Sequence, residues 1–169
     1  MLMTKLVILF IIFLLSNLIG KMIAGKYRYR YEELKQMKSA LNMFKTKVKF
    51  TYDTIPEIFE EISKNFNRNV GQVFQNAKVK MDYKSAEESW KESIEESENN
   101  MTDEDKQILV MMSKMLGKSD VDGQISQIDI TLEFLEKQLE NSFEEKNKNE
   151  RLFRKLGTIM GLTLVTILV

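Results

Sequence analysis

Residues 6–20 read LVILFIIFLLSNLIG and residues 156–169 read LGTIMGLTLVTILV, two uncharged and mostly apolar tracts around a middle crowded with Lys, Glu, Asp and Asn. As helices they would cover about 21–23 Å at ~1.5 Å per residue, short of a hydrocarbon layer of about 30 Å. The stems of Lys5, Lys21, Arg154 and Lys155 are long enough to snorkel. Met1, Met3, Met22, Ile23, Leu152 and Phe153 extend the apolar surface beyond those charges. Both tracts are therefore read as transmembrane helices, one anchor over residues 1–25 and one over 156–169. The first tract also has the form of a signal peptide, with MLMTK as a basic start and LVILFIIFLL as an apolar centre. No small-x-small cleavage site follows, and Lys21 stands where one would be needed.

Charge orients the anchors. Lys21, Lys26, Arg28 and Arg30 follow the first tract, and Arg151, Arg154 and Lys155 precede the second. Basic residues within about 15–20 positions of a span are retained on the cytoplasmic side. The expected layout is a cytoplasmic domain over 26–155, with both ends of the chain on the other side. The basic run continues through Lys35, Lys38, Lys45, Lys47 and Lys49 and reads as a membrane-facing flank, whereas 87–105 is strongly acidic. Lys plus Arg equals Asp plus Glu, 25 of each, so global charge points to no nucleic-acid partner.

The chain contains neither histidine nor cysteine. The commonest ligands for zinc, haem and iron–sulfur centres are missing, as are Ser-His-Asp and Cys-His arrangements. No phosphate-cradling glycine loop occurs, so no catalytic, cofactor-binding, metal or small-molecule site is assigned. Adjacent carboxylates such as Glu60 and Glu61, or Glu95 and Glu96, diverge on a helix and do not converge on a substrate.

From Tyr31 to Lys155 the apolar residues recur with a helical period, and Pro56 is the only proline. The fold class is all-α, a six-helix bundle between the two terminal helices. Leu34, Met37, Leu41, Phe44 and Val48 form the first buried stripe. Asp53 or Thr54 caps a second helix with Pro56 in its first turn, and Asn67, Asn69 and Gly71 mark the next turn. Ser85 with Glu88, and Thr102 with Asp105, have capping-box spacing. Ile108, Leu109, Met112, Met115 and Leu116 form a buried side that Gly117 closes in the left-handed conformation. Ser119 is placed to cap the last helix, with Asp120 and Asp122 favouring its positive end. That helix carries Ile125, Ile128, Leu132, Leu135, Leu139 and Phe143 and can continue into the second tract, since neither Pro nor Gly intervenes before Gly157. Trp90 and the phenylalanines read as core; Met111, Met112 and Met115 read as adaptable packing, with a partner groove as the alternative. Gln124 is positioned to tie loop carbonyls or to meet a partner. Gly157 and Gly161 have the spacing that lets two helices approach closely in lipid.

Three blocks resemble the stage III sporulation protein AB family. They are LGKSDVDGQISQIDITLEFLEKQLE (116–140), KNERLFRKLGTIMGLTLVTILV (148–169) and YRYRYEELKQMKSALNMFKTKVKFTYDTIPEIFEEI (27–62). The resemblance is carried by the turn of Leu116, Gly117 and Asp120 before Gln124, by Pro56-Glu57-x-Phe59, and by Ala86, Glu87 and Trp90. It implies a platform subunit of the channel that joins mother cell to forespore, on the mother-cell side of the outer forespore membrane. The family's helical domain is similar to one cytoplasmic repeat of the type II secretion platform protein F. The implied partners are the membrane, other stage III channel subunits and a secretion-type ATPase, and the implied role is not enzymatic. Self-association stays open. The rival reading from the residues alone is a membrane-anchored helical-bundle sensor, whose domain would lie on the opposite side from the basic flanks.

Overall fold

The structure is a computed structural model that describes residues 2–51 and 53–168, with the side chains of residues 2, 5 and 6 outside the description. The expectations for Met1, for the Lys5 side chain and for Val169 lie outside the described residues. Among those described, every regular element is helical: α1 (Leu2–Phe50), α2 (Ile55–Asn65), α3 (Arg68–Lys80), α4 (Ala86–Glu95), α5 (Asp103–Met111), a 3₁₀ turn (Met112–Met115) and α6 (Val121–Leu168). They form two compact units, Met1–Tyr31 with Asn141–Val169, and Glu32–Glu140. The first apolar tract and the first bundle helix are not separate elements. They are one helix of 49 residues, because nothing stronger than Gly20 and Gly25 interrupts the chain before Phe50.

In the Glu32–Glu140 unit, α1 contributes the fully buried Leu34, Met37, Ala40, Leu41 and Phe44. Spacings of three and four put these on one face. Phe59 of α2 sits at the centre, its ring 5.2 Å from Phe44, 5.1 Å from Phe74 and 5.4 Å from Trp90. Edge-on and tilted geometries of this kind let ring edges meet ring faces. The Trp90 indole N–H donates to the Leu109 carbonyl at 2.8 Å, so the one polar atom of this cluster is satisfied inside the core.

Local chemistry explains where the short helices start. Thr54 donates both its N–H and its hydroxyl to the Glu57 carboxylate, at 2.7 and 2.8 Å. Ser85 accepts from the Glu88 N–H, and Thr102 accepts from that of Asp105. Asn67 caps α3 by accepting from the Val70 N–H at 3.0 Å. Asn69 and Gly71 therefore lie inside α3 and not in the turn expected there. Gly71 is buried where α2 meets α3, and a Cβ on it would fall 2.6 Å from the Ser63 carbonyl oxygen. Its role is close packing.

Two other expectations fail for stated reasons. The α-helical period stops at Met111, where the chain tightens into the 3₁₀ turn, and Met115 comes out exposed while Leu116 stays buried. On α6 the buried face runs through Ile128, Thr131, Leu135 and Gln138, turned from the all-apolar stripe, so Leu132 and Leu139 are only partly buried. Phe143 leaves the bundle altogether and lies half-exposed with its ring 5.5 Å from Tyr31. The surface carries ion pairs between successive helices. Lys84, and then Lys80, hold the Glu92 carboxyl below the usual carboxylate range.

Replacing Trp90 with Ala removes the indole from the Phe59 cluster and should cost about 3–5 kcal/mol. The denaturation midpoint of the bundle measures this, and an unaltered midpoint would place Trp90 outside the core.

Candidate functional site: the glycine helix pair and the turn before the last helix

The unit formed by the two chain ends is an antiparallel helix pair. Gly157 meets Gly20, and Gly161 meets Ser16 and Phe13. A Cβ built on Gly20 would lie 2.9 Å from the Gly157 Cα, and one built on Gly157 would lie 3.0 Å from the Gly20 Cα. No side chain fits between these backbones. Ser16, Gly20 and Ala24 repeat every four residues on α1 and present the small face that receives Gly157 and Gly161. This half of the contact has the same spacing signal as the glycines, but its partner is remote in sequence and went unread.

Hydrogen bonds cross the same seam. The Ser16 hydroxyl donates to the Gly157 carbonyl at 2.8 Å, and the Thr158 hydroxyl donates to the Asn17 side-chain oxygen at 2.7 Å. One turn further along, Tyr27 stacks on Phe153 with ring centroids 5.8 Å apart. The residues facing away from the seam are large and apolar: Val7, Ile8, Phe10, Leu14, Leu18, Ile159, Leu162 and Ile167 are all exposed. The core helix of a soluble protein would bury such residues.

Among the described residues α1 alone is long and apolar enough to cross a membrane on length and composition. The end of α6 is more charged, with Arg151, Arg154 and Lys155 standing just before its apolar tract. The register of the pair brings Lys21 level with Leu156 and Lys26 level with Arg151. Lys21, Lys26, Arg151, Arg154 and Lys155 therefore fall in one band about 8 Å deep. Arg154 pairs with Glu150 at 3.2 Å. Arg28 reaches the Tyr29 hydroxyl at 3.2 Å. Arg30 does not belong to this group of outward cations. It is 7% exposed and donates to Glu145 at 2.6 Å. Three lysines further along the basic run form ion pairs: Lys38 with Glu136, Lys45 with Asp129 at 2.5 Å, and Lys47 with Glu61 at 2.7 Å.

The turn from Gly117 to Gln124 lies in the bundle unit. Gly117 has φ +70°, the left-handed conformation expected of it. Lys118 pairs with Glu87 of α4. The cap of α6 is Asp120 and not Ser119, because the Asp120 carboxylate accepts from the Gly123 N–H at 2.9 Å while the Ser119 hydroxyl turns back to the Met115 carbonyl. Gly123 makes room for this, since a Cβ there would meet Asp120 Oδ1 at 3.0 Å and Ser119 Cβ at 2.9 Å. Gln124 donates to the Ser119 carbonyl at 3.1 Å, and Gln127 donates to the Met111 carbonyl at the end of α5. Side chains thus fasten both sides of the corner. A buried carboxylate also went unread. Glu33, 3% exposed, accepts from the Asn69 amide at 2.6 Å and from the Asn100 N–H and amide at 2.7 and 2.9 Å.

A family model described as stage III sporulation protein AB matches residues 5–169. The chain belongs to that family. Stage III sporulation protein AB of Bacillus subtilis (strain 168) is 22% identical over 153 residues, covering 88% of this chain and 90% of the relative. A solved structure of a stage III sporulation protein AB superposes with a TM-score of 0.64 at 18% identity, over 70% of this chain and 96% of that one. Membership makes this a sporulation protein of stage III.

Two outcomes test the geometry. The chain has no cysteine of its own, so Asn17→Cys with Thr158→Cys should cross-link readily under mild oxidation, and adding Gly157→Leu should abolish the cross-link by wedging the backbones apart. Gly117→Ala should lower bundle stability by about 1–2 kcal/mol, the cost of a Cβ in the left-handed region, with Gly117→Asn costing less. Thermal unfolding measures both variants.

Proposed function

We propose that the chain is a non-catalytic membrane platform subunit of the stage III assembly between mother cell and forespore. The terminal helix pair holds it in the membrane, and the bundle of residues 32–140 meets cytoplasmic partners. The observation that carries this reading is the glycine-sealed pair whose large apolar residues face outward, ending in a band of five cations at one level. Lipid is the solvent that suits such a surface, and a cation band at the edge of a span belongs on the cytoplasmic side.

On this reading both tracts span despite their length, since the close Gly20–Gly157 crossing supports the shorter one with the longer one. The bundle works as a rigid docking body, in the manner of a repeat of the type II secretion F protein, and its partner is the secretion-type ATPase of the same assembly. The charged residues around α3 and α4 suit a salt-sensitive contact, because charge complementarity is screened at high ionic strength. The Gly117–Gln124 corner serves the fold, setting where α6 starts.

Single cysteines at Met3, Glu98 and Thr166 in an otherwise cysteine-free chain test the topology with a membrane-impermeant thiol reagent on intact cells. Labelling at positions 3 and 166 with protection at 98 is the expected result. Labelling at 98 would put the bundle outside and favour a sensor.

A further inference from the structure

Beside the Gly20–Gly157 crossing a groove of about 380 Å³ opens along the helix pair. Ile12, Leu15, Ile19 and Ile23 of α1 form one wall, and Leu156 and Met160 of α6 stand on the other. Its existence follows from the glycines. Gly20 and Gly157 line it without side chains of their own, so nothing from the crossing fills the crevice beside it. The volume exceeds the roughly 150 Å³ of an apolar cavity that admits benzene and lies within the 300–1,000 Å³ typical of ligand clefts.

Basic residues follow the end of the groove formed by Ile23 and Phe153. Lys26 follows Ile23 by three residues, on the face that carries Ile12, Leu15 and Ile19, and it is exposed. Lys21, Arg151, Arg154 and Lys155 stand in the same band around the pair. Residues 1–31 and 151–169 contain no acid at all, and Glu150, beside them, is already paired with Arg154. An apolar slot flanked at one end by a band of cations, with Lys26 one turn beyond its last apolar residue, matches a molecule with a hydrocarbon tail and an anionic head. Basic sites between transmembrane helices on the cytoplasmic side bind anionic phospholipids on this principle.

We propose that the groove holds one acyl chain of an anionic phospholipid, with the headgroup phosphate at Lys26. The lipid extends the apolar side of the pair and neutralises part of the cation band. This rests on the reading that the terminal helices lie in the membrane, and the experiment separates the two claims.

The full chain is extracted from membranes, tested for resistance to alkaline carbonate, and examined by native mass spectrometry in detergent with phosphatidylglycerol or phosphatidylcholine of identical chains. The expected result is one bound phosphatidylglycerol, preferred over phosphatidylcholine. Lys26→Gln should lower its occupancy about fivefold. Met160→Trp, which fills the slot, should remove it while circular dichroism stays unchanged. A carbonate-resistant protein that binds both lipids equally, or binds them unaffected by both substitutions, overturns the groove alone. A lipid-free dimer whose mass shift follows Met160→Trp assigns the groove to a second copy and also overturns it. Release by carbonate overturns the membrane reading and the groove together.

Discussion

The backbone contact of Gly20 with Gly157 is the constraint on which the terminal unit depends. At a Cβ-to-Cα distance of 2.9–3.0 Å, no residue but glycine fits at either position without moving a helix. Everything else about the pair follows from that crossing. It brings the Ser16 hydroxyl within reach of the Gly157 carbonyl, stacks Tyr27 on Phe153, and levels the cations that follow one tract with those that precede the other. Dispersion and interhelical hydrogen bonds can hold such a seam where apolar solvent offers no hydrophobic drive.

The bundle relies on a different economy of contacts. Phe59 touches three other rings, and the Trp90 indole finds its acceptor in the backbone of α5. The bundle core is one cluster that is aromatic at its centre. Its short helices are held at their starts by side-chain caps, and the long α6 is held at its start by Asp120.

Much of this was legible. Caps at Ser85 and Thr102 and the left-handed Gly117 rest on rules spanning three or four residues, and the first stripe on α1 rests on a period that nothing disturbs. The errors have local causes. Ser119 and Asp120 are both good caps, and only the turn geometry set by Gly123 selects the second. Gly71 read as punctuation because glycine marks turns more often than it marks helix contacts. The acidic partners of Arg30, Lys38 and Lys45 lie 84 to 115 residues away, beyond the reach of any local pattern. The Ser16–Gly20–Ala24 face needed its partner helix to acquire meaning.

Glu33 has a consequence for how the bundle assembles. Its two oxygens take donors from Asn69, at the start of α3, and from Asn100, in the loop before α5, so three separate stretches of chain meet at one carboxylate. An intermediate in which α1 is docked but either of the others is loose must bury a charge with part of its hydrogen bonding missing, or leave that end of the core wet. Partly folded forms are thereby penalised relative to both the complete bundle and the open chain. A single acidic side chain thus makes folding of this unit more nearly all-or-none than its greasy interior alone would require.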